Sequence, residues 1–166
     1  MSRGFINEDD QEEPVEISKR AVLPEGIPNY VTPEGFAALL KEQDDLQLEL
    51  VQFEADDERE HRRKSAEIDG RLNLLNERIN SARILDVKIQ DLSEVKFGAK
   101  VSYQMANVKN PITIRIVGVD EANVKERKVS FIAPISMALM NKKVGEKVQL
   151  VMGDEIRELV VLSIEQ

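Results

Sequence analysis

From Thr32 onward the apolar positions fall into two seams with spacings of three and four residues. Phe36, Leu39, Leu46, Leu50 and Phe53 form the first, with Gln43 as a polar interruption. Ile68, Leu72, Leu75, Ile79 and Ala82 form the second, and His61 and Ser65 occupy its next two positions toward the start. Residues three and four apart share one face of an α-helix, so each seam predicts an amphipathic helix of coiled-coil type. The first helix opens at Thr32-Pro33-Glu34, with a hydroxyl at the cap, proline at the first helical position and an acid in the first turn. Neither helix holds an internal proline. Only Gly70 weakens the second, by ~1 kcal/mol relative to alanine.

Glu54-Ala55-Asp56-Asp57-Glu58-Arg59-Glu60 separates the seams. One continuous helix of about fifty residues would need a partner chain to cover its seam. Alternatively the chain folds back near Asp56-Asp57 and the two helices cover each other. No glycine or proline marks a turn, but paired aspartates favour turns over helix interiors, which tilts the reading toward a hairpin.

After Asp86 the period changes to two. Val95–Phe97, Lys100–Tyr103, Ile112–Val117, Lys128–Phe131, Lys147–Val151 and Ile156–Val161 alternate and are rich in β-branched residues, so each reads as a strand. Met152-Gly153-Asp154 is a short turn between the last two. One helix, Pro134 to Met140, interrupts them. This makes residues 93–166 a small antiparallel sheet domain with one helix, and the whole chain α+β.

Residues 1–30 show no period. Glu8, Asp9, Asp10, Glu12, Glu13 and Glu16 crowd the first half, and Pro14, Pro24 and Pro28 punctuate the segment. Such a stretch buries too little surface to offset its ordering entropy, and reads as an acidic, disordered tail. A docking arm anchored by Phe5, Ile6 or Val22-Leu23 is the alternative.

Composition narrows the chemistry. The 166 residues hold no cysteine and one histidine, which excludes thiolate zinc sites and disulfides and makes His61 obligatory in any triad. No apolar run is long enough for a membrane helix, and the acidic start does not suit a signal peptide, so a cytoplasmic protein is expected. A net charge of −8 opposes free binding to DNA. Phosphate-binding glycine loops are absent. His61, flanked by Glu60 and Arg62, reads as a solvated or seam-edge residue. Carboxylates at 54–60 are of the type that share a Mg²⁺ with another protein. The run His61-Arg62-Arg63-Lys64 is of the type that neutralises phosphates. An ordinary solvated surface explains either feature.

Helical hairpin, short link and small α+β domain, in that order, resemble the Gre family of bacterial transcript cleavage factors. Val31-Thr32-Pro33-Glu34-Gly35 is similar to that family's opening cap, and Ile84-Leu85-Asp86 to the close of its second helix. Val95-Lys96-Phe97-Gly98-Ala99-Lys100-Val101, Ile116-Val117-Gly118-Val119-Asp120-Glu121-Ala122 and Ala133-Pro134-Ile135-Ser136-Met137-Ala138-Leu139 follow in family order. Asn141-Lys142-Lys143-Val144-Gly145-Glu146 completes the set.

The resemblance implies an antiparallel coiled-coil hairpin over residues 31–86 and an FK506-binding-protein-like domain over 93–166. It implies a monomer that binds bacterial RNA polymerase, the C-terminal domain on the rim of the secondary channel and the coiled coil in the pore. Nucleic acid is met only within the transcription complex, and no membrane is involved. On that reading the chain is not itself an enzyme. Its tip acids share the polymerase's Mg²⁺ and promote cleavage of backtracked RNA, and no cofactor is tightly bound.

The family's acidic tip motif has no counterpart here, and the hairpin is about one heptad shorter per arm, or ~11 Å. The turn then falls near 55–58. Geometry places Asp56, Asp57 and Glu58 at the tip, and the resemblance implies Asp56 and Asp57 as the ligands that share magnesium. Arg59, Arg62, Arg63 and Lys64 are the candidates for RNA or pore contact. Asp120, Glu121, Ile132, Ala133 and Pro134 are the candidates for polymerase contact. A cleaving factor and a non-cleaving channel competitor both remain open. A dimeric coiled-coil adaptor and a prolyl isomerase are weaker readings, the latter because residues 93–166 offer only Phe97, Tyr103 and Phe131 as aromatics.

Overall fold

The computed structural model describes residues 13–166. The proposed anchors Phe5 and Ile6, and the acids Glu8, Asp9, Asp10 and Glu12, lie outside the described residues. The chain is mixed α+β. In order it forms β1 (Asn29–Val31), α1 (Pro33–Gln52), α2 (Glu58–Ser81), β2 (Ala82–Ile84), β3 (Lys100–Met105), β4 (Ile112–Val117), β5 (Lys128–Ser130), α3 (Pro134–Leu139), β6 (Lys147–Met152) and β7 (Glu155–Glu165).

The helices α1 and α2 pack side by side in opposite directions. Their pairings show the register: Gln43 Nε2 donates to Asn76 Oδ1 at 2.6 Å, Arg71 faces Glu49 at 3.8 Å, and the Phe53 and His61 rings lie 4.9 Å apart. Leu39, Leu46, Ile68 and Leu75 are buried between them, flanked by Phe36, Leu50, Phe53, Leu72 and Ile79. The seams thus cover each other. The polar interruption at Gln43 is answered by Asn76, a buried-edge amide pair that fixes register, because a slip would strand both amides.

The second unit is a five-stranded sheet in the order β5-β4-β3-β7-β6. Val95, Ala99, Val101, Ile116, Leu139 and Leu159 are fully enclosed in its core. The sheet is mixed, which corrects the expectation of a purely antiparallel one: β5 pairs with β4 in parallel. The link between those two strands runs through Asn123, whose side chain accepts from Lys125 N, and through Arg127 in the left-handed region at φ 55°. That excursion gives β5 room to re-enter alongside β4. Val95–Phe97, expected as a strand, is irregular. Val95 exchanges backbone bonds with Asn141 and Lys142, and Gly98 at φ +85° turns the chain before a ladder can form.

Two further expectations are corrected where the units meet. Ala82–Ile84, read as the end of the second helix, is a strand paired in parallel with Asn29–Val31. The buried Asn29 side chain donates to Arg78 O at 2.9 Å and to Ser81 Oγ at 3.2 Å, so it answers a terminal carbonyl of α2 and ends that helix. The tail expected over residues 1–30 is, across its described part, laid against the protein. Ile17 rests where Gly70 has no side chain. Arg20 reaches both Glu42 and Asp120, and Arg78 donates to Ala21 O. These partners lie far along the chain, which is why local composition misreads the segment. Of the alternative anchors, Val22 is exposed and Leu23 half-buried.

Candidate functional site

The helical pair ends in a five-residue link, Phe53–Asp57, that turns without glycine. Phe53 leaves α1 in extended backbone while its N–H still bonds Glu49 O. Asp57 restarts the helix as the cap of α2. Its Oδ1 accepts from Glu60 N at 2.8 Å, and the Glu60 carboxylate reaches back to Asp56 N at 2.9 Å. The first bond satisfies an orphan N–H of α2 and the second ties Glu60 back to the link, while the acids in this first turn suit the positive end of the helix.

Across the turn, Phe53 stacks obliquely on His61, and Lys64 Nζ lies 4.9 Å from the centre of the Phe53 ring. His61 is thus half of an aromatic clasp that closes the turn. The position of Phe53 at the end of one seam and His61 at the start of the other carried that signal.

Outside the clasp the tip is open to solvent. Asp56, Asp57 and Glu58 are all exposed, as are Arg59, Arg62 and Arg63, while Lys64 is half-buried against Phe53. Arg62 is 4.0 Å from Glu58 one turn away. The result is an acidic point with a basic collar on one helix. Among the described residues no group of three or more acids, histidines or cysteines is arranged to hold a metal alone.

The second candidate group divides. Ile132 and Ala133, both half-buried, lead into α3, whose first residue Pro134 is exposed; Met137 follows, 66% exposed. Asp120 and Glu121, expected beside them as surface contacts, are committed inward. The Asp120 carboxylate is held by Arg20 at 3.0 Å and Arg78 at 3.6 Å. Glu121 accepts from Thr32 Oγ1 at 2.6 Å and faces Lys128 at 3.8 Å. Their side chains are only 8% and 10% exposed. Hydrogen bonding to Glu42, followed by the nearby Asp120 charge, holds the Arg20 guanidinium firmly protonated despite its partial burial.

These acids brace the joint between helices and sheet. The apolar half of the joint is a ring trio, Tyr30 against Phe97 at 6.0 Å and Phe131 at 5.7 Å. Gly118 completes it, since a Cβ there would lie 2.5 Å from Tyr30 O. Arg20, Arg78 and Asn76 carry no signal in the sequence, because each acquires its role from a distant partner.

Comparison with known proteins identifies the family. The family described as "Transcription elongation factor, GreA/GreB, C-term" matches residues 90–166. Transcription elongation factor GreB of Neisseria meningitidis serogroup A is 30% identical over 153 residues, covering 82% of this chain and 93% of that protein. Transcription elongation factor GreA of Caulobacter sp. is 34% identical over 98 residues, covering 59% and 62%. Among solved structures, Thermus aquaticus Gfh1 aligns over 82% of this chain and 97% of its own, at 21% identity and a TM-score of 0.40. GreA/GreB from Nitrosomonas europaea aligns over 84% and 99%, at 11% identity and a TM-score of 0.41. With a relative 30% identical over nearly its whole length, the chain belongs to the GreA/GreB family of transcription elongation factors.

Proposed function

We propose that this elongation factor works on bacterial RNA polymerase by inserting its helical pair, as an antiparallel coiled coil, into the secondary channel. The sheet unit, taken as FK506-binding-protein-like, rests on the channel rim through Ile132, Ala133 and Pro134. The observation that carries this reading is the tip. A rod of 20- and 24-residue helices, about 30–36 Å long, ends in exposed Asp56, Asp57 and Glu58. The chain itself is not the enzyme; the polymerase performs any hydrolysis. Mg²⁺, when shared, would polarise the phosphate and the attacking water there. The factor's own groups would contribute carboxylate oxygens from Asp56 and Asp57, and Arg59, Arg62, Arg63 and Lys64 would lie near RNA phosphates. Because the seams cover each other within one chain, it acts as a monomer, and its partner places it in the cytoplasm.

A second reading, a channel competitor that does not promote cleavage, is favoured by one observation. Asp57 already spends an oxygen on capping α2, and magnesium tolerates little deviation from ~2.0–2.1 Å. Stalled transcription complexes separate the two. RNA shortening with the intact factor, lost on changing Asp56, Asp57 and Glu58 to alanine, supports the cleaving form. Polymerase binding with unchanged RNA lengths supports the competitor. Failure to bind polymerase would sink both.

A further inference from the structure

The sheet carries a row of cations of which only the end residue, Lys128, meets an acid of the joint, Glu121 at 3.8 Å. In the strand register Lys100 of β3 pairs with Arg115 of β4, and Arg115 pairs with Lys128 of β5. Residues opposite each other in a sheet point to the same face, so three like charges stand side by side on neighbouring strands. Strands lie ~4.8 Å apart, giving a row about 10 Å long. Like charges in direct register are destabilising unless something of opposite sign lies across them.

The row borders an open cleft of ≈ 560 Å³, and Arg127 joins it from the link before β5. Of the side chains lining that cleft, four are cationic and one, Glu126, is acidic. Glu126 is paired with Lys128 at 2.9 Å, and Glu165 lies 3.9 Å from Lys100. Arg115 and Arg127 have no carboxylate partner among the described residues. Arg115 Nε is enclosed and bonds to no acceptor there. A planar guanidinium donor fork is matched best by a carboxylate or phosphate. The neighbouring Arg115 charge also opposes protonation of Lys128, whose pKa is nevertheless raised, chiefly by its bond to Glu126. The charges in the row therefore sense one another.

We infer that the cleft beside Lys100, Arg115, Arg127 and Lys128 is a binding site for linked phosphates. Three cations along about 10 Å suit a chain of anionic groups better than a single one. Two sources present that chemistry: the polyphosphate of a free nucleotide and the backbone of a single nucleic-acid strand. Such a local basic row also escapes the objection raised by the net charge of −8, which concerns the molecule as a whole.

The test uses the intact chain without polymerase, so its outcome is independent of the channel-binding proposal. Inorganic triphosphate, ATP and a short single-stranded RNA are titrated calorimetrically, with a glutamate oligopeptide as a carboxylate control. At least one phosphate probe is expected to bind, with affinity falling roughly tenfold or more in Arg115→Gln. The exposed Arg127→Gln, which carries little risk to folding, is expected to weaken binding several-fold. Exposed Lys109, away from the cleft, changed to Gln is expected to leave it unaltered. Binding of triphosphate and ATP supports a nucleotide ligand, and binding of the RNA alone supports the backbone source. No binding of any phosphate probe overturns the inference. So does equal binding of the oligopeptide, or affinity unchanged in both arginine variants.

Discussion

Thr32 Oγ1 accepts from Gly35 N at 2.9 Å and donates to Glu121 Oε2 at 2.6 Å, so one hydroxyl both caps α1 and ties it to the sheet unit. Thr32 is buried, and its loss would leave an orphan N–H at the helix start and an enclosed carboxylate without its donor. Thr32→Ala is therefore expected to cost about 2–3 kcal/mol in denaturant unfolding. Thr32→Ser keeps the hydroxyl and is expected to recover most of that. Equal losses in both variants would show that the methyl, not the hydroxyl, matters.

The Gln43–Asn76 amide pair predicts a coupling. Gln43→Leu alone strands Asn76 at the seam and is expected to destabilise by about 1–2 kcal/mol. Replacing both with leucine removes the stranded amide and is expected to restore stability or exceed it. It also removes the group that fixes register, so the double variant is expected to show association in light scattering. A strictly additive double-mutant cycle would deny that the two amides act together.

Gly70 sits in mid-helix beneath Ile17. Alanine at that position gains ~1 kcal/mol of helix propensity but fills the space Ile17 occupies. Gly70→Ala is expected to leave thermal stability within about a kcal/mol while speeding tryptic cleavage at Lys19 and Arg20. Unchanged cleavage would mean that the N-terminal segment is held by the Arg20 and Arg78 contacts and not by Ile17.

Burial pushes the Tyr103 phenol above its ordinary value of 10.0. The folded state then keeps its proton longer than the unfolded state does. The stability this contributes is complete below the unfolded value and is lost as pH rises through the raised folded value. Unfolding free energy is therefore expected to fall with pH above about 10, and less steeply in Tyr103→Phe. Identical slopes would assign the alkaline loss to other groups.

Much of this architecture is legible in the residues because it rests on local periodicity. The two seams, the Thr32-Pro33 start and the strands at 100–103, 112–117 and 147–151 each announce themselves within a few residues. The pairing of Asn29–Val31 with Ala82–Ile84 does not, since three residues show no period and the partner lies about fifty positions away. Val95 and Phe97 alternate like a strand yet lie in an irregular stretch, because Gly98 ends any extension. At the tip, exposed acids follow from shortening the hairpin, but the role of Asp57 as a cap needed the turn itself. Asp120 and Glu121 have the chemistry of surface contacts. Only Arg20, Arg78 and Thr32, brought in from elsewhere, turn them inward. The row of Lys100, Arg115 and Lys128 depends on strand order, which no single stretch of chain encodes.

The most direct test asks whether the tip enters the polymerase. Fe²⁺ substituted for Mg²⁺ at the polymerase active centre generates hydroxyl radicals that cut nearby polypeptide. With the factor bound, end-labelled chain is expected to be cut within the Phe53–Asp57 link and the first turn of α2, and to remain intact in the sheet unit. An uncut chain, or cuts confined to residues 93–166, would contradict insertion of the helical pair.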